Sequence, residues 1–286
     1  MSGASGEANA TIACLQFEPS FGDRETNLEQ AAGLLEEAHR AGANLAVLPE
    51  LFDSGYVFTS REEAFGLATS VEASPTIERL QEAARGMDMY IVAGFAERDG
   101  DRLYNSAAVI GPGGLIGVYR KNHLWAEEAL YFEPGDRGFP VYATRIGRIA
   151  PLICYDGWFP ESWRRCGLGG ADIVCVPTNW VPMPGQRDDL PAMANILCLA
   201  GAHSNGVFVA AACRTGTERG QPFIGQSLIV GPQGWPLAGP ASRDERAVLV
   251  AHCNLADARR ARALNAFNHV LRDRRSDVYG ELATRS

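Results

Sequence analysis

The chain has 286 residues, of which 46% are hydrophobic and 21% charged, enough apolar material for a sizeable buried core. A formal net charge of -8 argues against nucleic acid or an anionic membrane as partner, and no apolar run approaches the roughly 20 residues of a membrane span. Seven cysteines without a Cys-x-x-Cys pair, and five histidines without metal-ligand spacing, point to reduced thiols in a cytoplasm and to no metal site.

Residues 1–10 are small and polar, without the basic start or apolar centre of a signal peptide, and are expected to be a flexible tail. Residues 11–17 read as a strand. Residues 23–41 read as a helix, with apolar Leu28, Ala31, Ala32, Leu34, Leu35 and Ala38 on its core face and Gly42 ending it. A strand follows at 45–48, then a helix at 75–85 capped by Ser74, and a strand at 90–95. Residues 105–110 and 115–119 flank Gly111-Pro112-Gly113-Gly114, a hairpin signal.

The second half repeats this order. Strands are predicted at 148–153, 173–176 and 207–212, with helices at 161–167 and 190–203. A second turn, Gly231-Pro232-Gln233-Gly234, follows an apolar stretch at 227–230, in the place equivalent to the first. The pattern is that of an α/β protein with an internal pseudo-two-fold repeat, its two sheets face to face. No Pro/Gly/Ser-rich linker divides residues 11–255, which read as one domain. Residues 256–286 form a basic, helix-prone extension carrying Arg259, Arg260, Arg262, Arg272, Arg274 and Arg275, either a solvated surface or a subunit contact.

Three predicted strands end in groups with chemistry. Residues 148–153 deliver Cys154 to a turn through Asp156-Gly157, residues 44–49 end in Glu50, and a short apolar stretch ends in Lys121. A lone cysteine is usually a core residue, but the three strand ends together suggest groups converging at one sheet edge. A thiol near its usual pKa of about 8.5 is mostly protonated at neutral pH and needs a base. Glu50, its own pKa raised by burial, could take the proton. Lys121 could stabilise charge developing on the substrate, with the backbone N–H of Tyr155 as a second donor.

Leu48-Pro49-Glu50-Leu51-Phe52, Tyr119-Arg120-Lys121-Asn122-His123-Leu124 and Leu152-Ile153-Cys154-Tyr155-Asp156 stand in the order of three motifs of the nitrilase superfamily of carbon–nitrogen hydrolases. The chain resembles that family from about Thr11 to about Tyr279. The resemblance implies a four-layer α-β-β-α sandwich, Glu50 as general base, Lys121 as stabiliser of the tetrahedral intermediate and Cys154 as nucleophile. It also implies a second glutamate before Tyr131-Phe132-Glu133-Pro134-Gly135. The register favours Glu128, with Glu127 as the neighbouring alternative. No cofactor is implied. Members of the family use their C-terminal extensions in subunit contacts, so a homo-oligomer, dimer or higher, is expected.

True nitrilases usually carry Cys-Trp-Glu, whereas this chain has Cys154-Tyr155-Asp156, closer to the amidase and carbamoyl-hydrolase branches. Gly157-Trp158-Phe159-Pro160-Glu161 is similar to the corresponding stretch of carbamoylputrescine amidases. The expected reaction is hydrolysis of a small linear amide or N-carbamoyl amine through a thioester on the cysteine. A nitrilase is the alternative, and a non-catalytic binding protein on the same scaffold a further one. Tyr56, Tyr155, Asn179 and Trp180 are candidate substrate-binding residues, Trp125 lies between Lys121 and Glu128, and residues 182–190 look like a loop over the entrance. His123 offers a papain-like Cys–His pair as another reading of the base.

Overall fold

The computed structural model describes residues 9–187 and 189–279. Its first half runs β1 (Asn9–Gln16), α1 (Arg24–Arg40), β2 (Leu45–Val47), α2 (Arg61–Leu67), α3 (Pro75–Met87), β3 (Tyr90–Asp99), β4 (Arg102–Gly111) and β5 (Gly114–Arg120). One helical turn, α4 (Glu128–Tyr131), leads to β6 (Tyr142–Thr144), β7 (Gly147–Pro151), α5 (Pro160–Leu168), β8 (Ile173–Thr178), α6 (Met193–Asn205) and β9 (Phe208–Cys213). A small hairpin of β10 (Thr217–Glu218) and β11 (Gln221–Pro222) precedes β12 (Leu228–Val230), β13 (Pro236–Ala238) and β14 (Ala247–Asn254), and short helices α7 (Ala256–Ala261) and α8 (Ser276–Tyr279) follow.

Two six-stranded sheets result, in the orders β14-β1-β2-β3-β4-β5 and β13-β12-β9-β8-β7-β6. In the first, β1, β2 and β3 are parallel, and β4 and β5 continue antiparallel. In the second, β7, β8 and β9 are parallel, and β12 and β13 continue antiparallel. An antiparallel strand flanks each outer side, β14 beside β1 and β6 beside β7. The two sheets therefore have one topology, and the turns at 111–114 and 231–234 close equivalent hairpins, as the sequence pattern implies.

Alternation along β1 and β2 shows the layering. Ile12, Cys14, Leu45 and Val47 share a core with Ile149, Val174 and Val209 of the other sheet. Ala13, Leu15 and Ala46, pointing the opposite way, pack on Leu28, Leu34 and Leu35 of α1 and Ile77 and Leu80 of α3. Trp163 and Cys166 of α5 and Cys198 and Ala202 of α6 cover the second sheet. Strands buried on both faces read as continuous apolar runs, which is why they were legible in the sequence. Asp23 and Ser74 cap α1 and α3, their side chains accepting from Thr26 and Ile77 N–H.

The structure departs from the sequence reading in several places. β1 begins at Asn9, inside the stretch expected to be tail, and residues 1–8 lie outside the described residues. α6 starts at Met193 rather than 190: its cap Ala192 is non-helical at ψ 140°, and a proline at 191 disfavours helix at the residue before it. α2, β6 and β14 were not anticipated, although β14 pairs with β1 along its whole length. The basic extension is not one helix: α7 and α8 are separated by irregular chain with a single bridge between Ala263 and His269. Two of its arginines hold it to the second half, Arg259 pairing with Asp172 at 3.1 Å and buried Arg262 donating to the carbonyls of Ala171 and Gly206. Among the described residues no helix is long and apolar enough to cross a membrane.

The arrangement brings the C-terminal ends of β2, β5, β7 and β8 to one edge, the usual place for a site in parallel sheets. Gly94 on β3 lets the backbone beyond β2 come close: a Cβ there would stand 2.5 Å from the Cα of Glu50 and 2.7 Å from the N of Leu51. Gly94→Ala is therefore expected to cost about 2 kcal/mol or more and to displace Glu50, because its neighbours are backbone atoms that cannot swing aside. Urea unfolding of the variant, read beside its activity, checks this.

Candidate active site

Glu50 lies three residues beyond β2. The ladder persists as far as the Leu48 N–H, which donates to Val92 O at 2.9 Å, and Pro49 then removes the next donor. Leu51 turns the chain with φ 47°, a left-handed conformation that costs a branched-chain residue about 1 kcal/mol. Glu50 is left fully buried. Its Oε1 accepts from Asn105 Nδ2 and from Lys121 Nζ, both at 2.7 Å, and Asn179 Nδ2 donates to its carbonyl at 2.8 Å. Its other oxygen, Oε2, is buried with no hydrogen-bond partner.

Lys121 follows β5 directly, its N–H held by Asn105 O and its carbonyl by Gly135 N, each at 2.8 Å. The buried ammonium also donates to Glu128 Oε1 at 2.7 Å and Oε2 at 2.9 Å. The structure thus separates Glu128, buried on the lysine, from Glu127, which is exposed. The Tyr56 hydroxyl donates to Glu128 Oε1 at 2.6 Å. Tyr56 is held in turn by Glu218, whose Oε1 accepts from the N–H groups of Tyr56 and Val57 at 2.7 and 2.6 Å, while Arg214 pairs with its other oxygen.

Cys154 follows β7 after Leu152 and Ile153 and opens a 3-10 turn, Cys154–Trp158, before Pro160 starts α5. Its φ is 42°, again left-handed, so the thiol sits on a strained strand-to-helix elbow. Asp156, inside the turn, is fully buried and accepts from Ile153 N and from groups on the lysine segment. His123 gives its ring to Asp156, Nδ1 to Oδ1 at 2.7 Å, and stacks on Phe159 with ring centroids 3.8 Å apart. That arrangement does not support the papain-like reading, since the imidazole is already committed to a carboxylate.

Burial pushes Glu50 up to about 7, with Lys121 opposing the rise and Glu128 adding to it. Burial works against the Lys121 charge, but Glu128 and Glu50 outweigh it and hold its proton well above the usual lysine range. Burial, reinforced by Glu50, keeps the Cys154 thiol well above its ordinary value despite Lys121 and the Thr178 hydroxyl. At neutral pH the site therefore holds a thiol, an ammonium and a carboxylate poised to change protonation state.

A narrow cavity of about 20 Å³ reaches Cys154, walled by Trp125, Tyr155, Trp158, Asn179 and Trp180. A second, of about 70 Å³, shares Trp125 and Val181 with it and is lined by Tyr56, Glu127 and Glu128. All four candidate substrate-binding residues therefore border the two spaces. Of the predicted loop, Met183 lines the first cavity and Arg187 pairs with Asp189, while Asp188 lies outside the described residues. Asn105, Asp156, Trp158 and Met183 were not singled out as site residues. The first two are polar residues in an apolar strand and a turn, and that polarity alone names no partner. Among the described residues no three His, Cys, Asp or Glu side chains are grouped to hold a metal ion.

Two sheets of one topology, with a buried Glu–Lys–Glu cluster beside a strand-end thiol, define a cysteine-bearing α-β-β-α hydrolase. The chain belongs to the carbon–nitrogen hydrolase family, whose sequence model matches residues 11–263. It is 43% identical over 268 residues to a protein of Pyrococcus abyssi named nitrilase, covering 94% of this chain and 98% of that one. It is 37% identical over 291 residues to the N-carbamoylputrescine amidase of Solanum lycopersicum, covering 96% and 95%. Among solved structures it superposes on a carbon–nitrogen hydrolase from Helicobacter pylori with a TM-score of 0.86, at 29% identity over 98% and 99% of the two chains. It also matches an amidase from Nesterenkonia sp. AN1 with a TM-score of 0.77, at 28% identity over 97% and 98%, in a mutant whose active-site cysteine carries the acetamide moiety of fluoroacetamide.

The raised pKa of Glu50 has a direct spectroscopic consequence. Its carboxyl should be mostly protonated at pH 6 and mostly ionised at pH 8, a decade either side of about 7. Difference infrared titration should show a buried carboxyl band lost across that interval, and absent in Glu50→Gln.

Proposed function

We propose that the protein hydrolyses the C–N bond of a small linear amide or N-carbamoyl amine through a covalent thioester on Cys154. The observation that carries this is the state of Glu50: one oxygen is fixed by Asn105 and Lys121, and the other is buried and unpartnered in the region of a protonated thiol. A base so placed can accept the thiol proton as sulfur attacks the carbonyl carbon.

In the first half-reaction an S–C bond forms, the thiol proton moves to Glu50, and the carbonyl oxygen gains negative charge. Lys121, whose ammonium meets Glu50 and both oxygens of Glu128, stabilises that oxygen through its positive charge. The backbone N–H of Tyr155 is the second donor, and a donor of this kind contributes about 3 kcal/mol. Glu50 then returns the proton to the departing nitrogen, the C–N bond breaks and ammonia leaves. In the second half-reaction Glu50 takes a proton from water, hydroxide adds to the thioester, and the thiol is restored as the product acid departs. Glu128 keeps Lys121 charged throughout.

Among the described residues neither cavity is walled by a lysine or arginine side chain, and Glu127 stands exposed at the second. This supports a neutral or cationic substrate over an anionic one, in accord with the relatives named N-carbamoylputrescine amidase. The relative named nitrilase supports a second reading, in which the same thiol attacks a nitrile carbon and a thioimidate is hydrolysed.

Ammonia release should be measured on matched primary amides, N-carbamoyl amines, N-carbamoyl acids and nitriles. Turnover of amides or carbamoyl amines, reduced at least about 10³-fold in Cys154→Ala, is expected. Turnover confined to nitriles would replace this reading with the second. In the active series kcat/KM should fall below an apparent pKa of about 7 as Glu50 protonates, and stay level on the alkaline side, where Cys154 and Lys121 keep their protons. Tyr56→Phe removes the 2.6 Å bond to Glu128 and should lower kcat/KM about 10-fold, read from initial rates.

A further inference from the structure

Asp156 is a buried carboxylate that the proposed chemistry does not use. All of its acceptor capacity is directed at the two segments that carry the lysine and the cysteine. Its Oδ2 accepts from the Tyr119 hydroxyl at 2.6 Å and the Ile153 N–H at 3.0 Å. Its Oδ1 accepts from the His123 N–H at 3.0 Å and faces His123 Nδ1 at 2.7 Å. Tyr119 and His123 stand two residues before and two residues after Lys121. Ile153 and Asp156 itself flank Cys154 on either side.

One carboxylate thus ties both flanks of the lysine, on the first sheet, to both flanks of the cysteine, on the second. The covalent path between the two runs through more than thirty residues and could not hold them in register alone. The lysine segment is reinforced at the same point, since Asn122 Nδ2 donates to the Tyr119 hydroxyl at 3.0 Å and to Gly138 O at 3.0 Å. The stacking of His123 on Phe159, beyond the elbow, closes the loop around the carboxylate. The elbow itself has a non-glycine residue at φ 42°, which needs its surroundings to hold it.

We propose that Asp156 is the positioning residue that sets where the Cys154 sulfur stands relative to Lys121 and Glu50, acting through the four hydrogen bonds it collects from Tyr119, His123 and Ile153. This rests on the reading of Cys154 as the nucleophile. Asparagine in its place keeps the shape but presents an amide N–H to groups that are themselves donors, so at least one contact turns repulsive. The elbow then relaxes and the sulfur shifts. A displacement near 1 Å at a reacting atom costs on the order of 10²-fold in rate.

The test compares wild type, Asp156→Asn and Tyr119→Phe in two readouts. The first is kcat and KM on the substrate found in the panel above. The second, independent of turnover, is the rate of iodoacetamide alkylation at Cys154, located by peptide mapping. The other six cysteines are buried and serve as an internal monitor of folding. Asp156→Asn is expected to lower kcat about 100-fold with KM within about threefold, and to change Cys154 alkylation at least 10-fold while the other six stay unlabelled. Tyr119→Phe, which loses one of the four bonds, should move both in the same direction by less. Unchanged kcat and alkylation in Asp156→Asn would overturn the proposal. Labelling of the other six cysteines in Asp156→Asn, with Tyr119→Phe indistinguishable from wild type, would also overturn it, because Asp156 would then hold the fold and not the sulfur. A wild type inert on every substrate, with the alkylation change still present, would sink the hydrolase reading and leave the positioning role standing.

Discussion

The site is organised by a single buried cation. Lys121 has no solvent contact, and an isolated ammonium there would carry a desolvation penalty of several kcal/mol. It is tolerated because Glu50 and Glu128 both meet it at 2.7 Å. Two carboxylates on one cation leave a surplus negative charge in a place without water. Glu50, fully buried and with Glu128 close by, has its proton affinity raised by desolvation while the lysine stays charged. The cluster leaves Glu50 able to change protonation near neutral pH while Lys121 stays charged against Glu128, which is what the proposed base requires.

That electrostatic arrangement depends on geometry supplied from several strands. Glu50 and Cys154 arrive on different sheets, and each is presented by a residue in the left-handed region, Leu51 in one case and Cys154 itself in the other. Such conformations survive only where packing and hydrogen bonds over-determine them. Gly94 makes room for the first bend and Asp156 braces the second. The strain is local and the restraint comes from neighbours across the sandwich, so the site is as rigid as the layers around it.

What could be read from sequence follows from the same physics. Strands covered on both faces produce apolar runs, and a polar residue at the end of such a run stands out, which is how Glu50, Lys121 and Cys154 were found. The two Gly-Pro turns marked the repeat because hairpins need residues with a free backbone. The short α2 was missed because its core face is little more than Ala64, and β14 because its half-exposed apolar run has no turn signal of its own. Asn105 and Asp156 were overlooked for a different reason. Asn105 reaches Glu50 55 residues away, and Asp156, beside its local bond to Ile153, reaches Tyr119 and His123 37 and 33 residues away, contacts that no local pattern announces. The extension after residue 255 reads as helix-prone from its arginines, but Arg259 and Arg262 hold a carboxylate and carbonyls of the second half, and only two short helices form.

The duplicated architecture also explains why neither half could work alone. Glu50, Lys121 and Glu128 precede β6, yet the loop bearing Tyr56 is fastened from the second half. Glu218 on the β10–β11 hairpin accepts the N–H groups of Tyr56 and Val57, and the fully buried Arg214, stacked on Phe223, neutralises Glu218. Phe223 then meets the Tyr56 ring edge-on at 5.8 Å. The contact runs in both directions, because Asn179 after β8 holds the carbonyl of Glu50 after β2, its counterpart in the repeat. Each half therefore supplies the restraint for chemistry carried by the other. A fold that only stacked two equivalent sheets would bring the strand ends near one another, and these crossed hydrogen bonds are what turn proximity into a defined position for Glu50 and Tyr56.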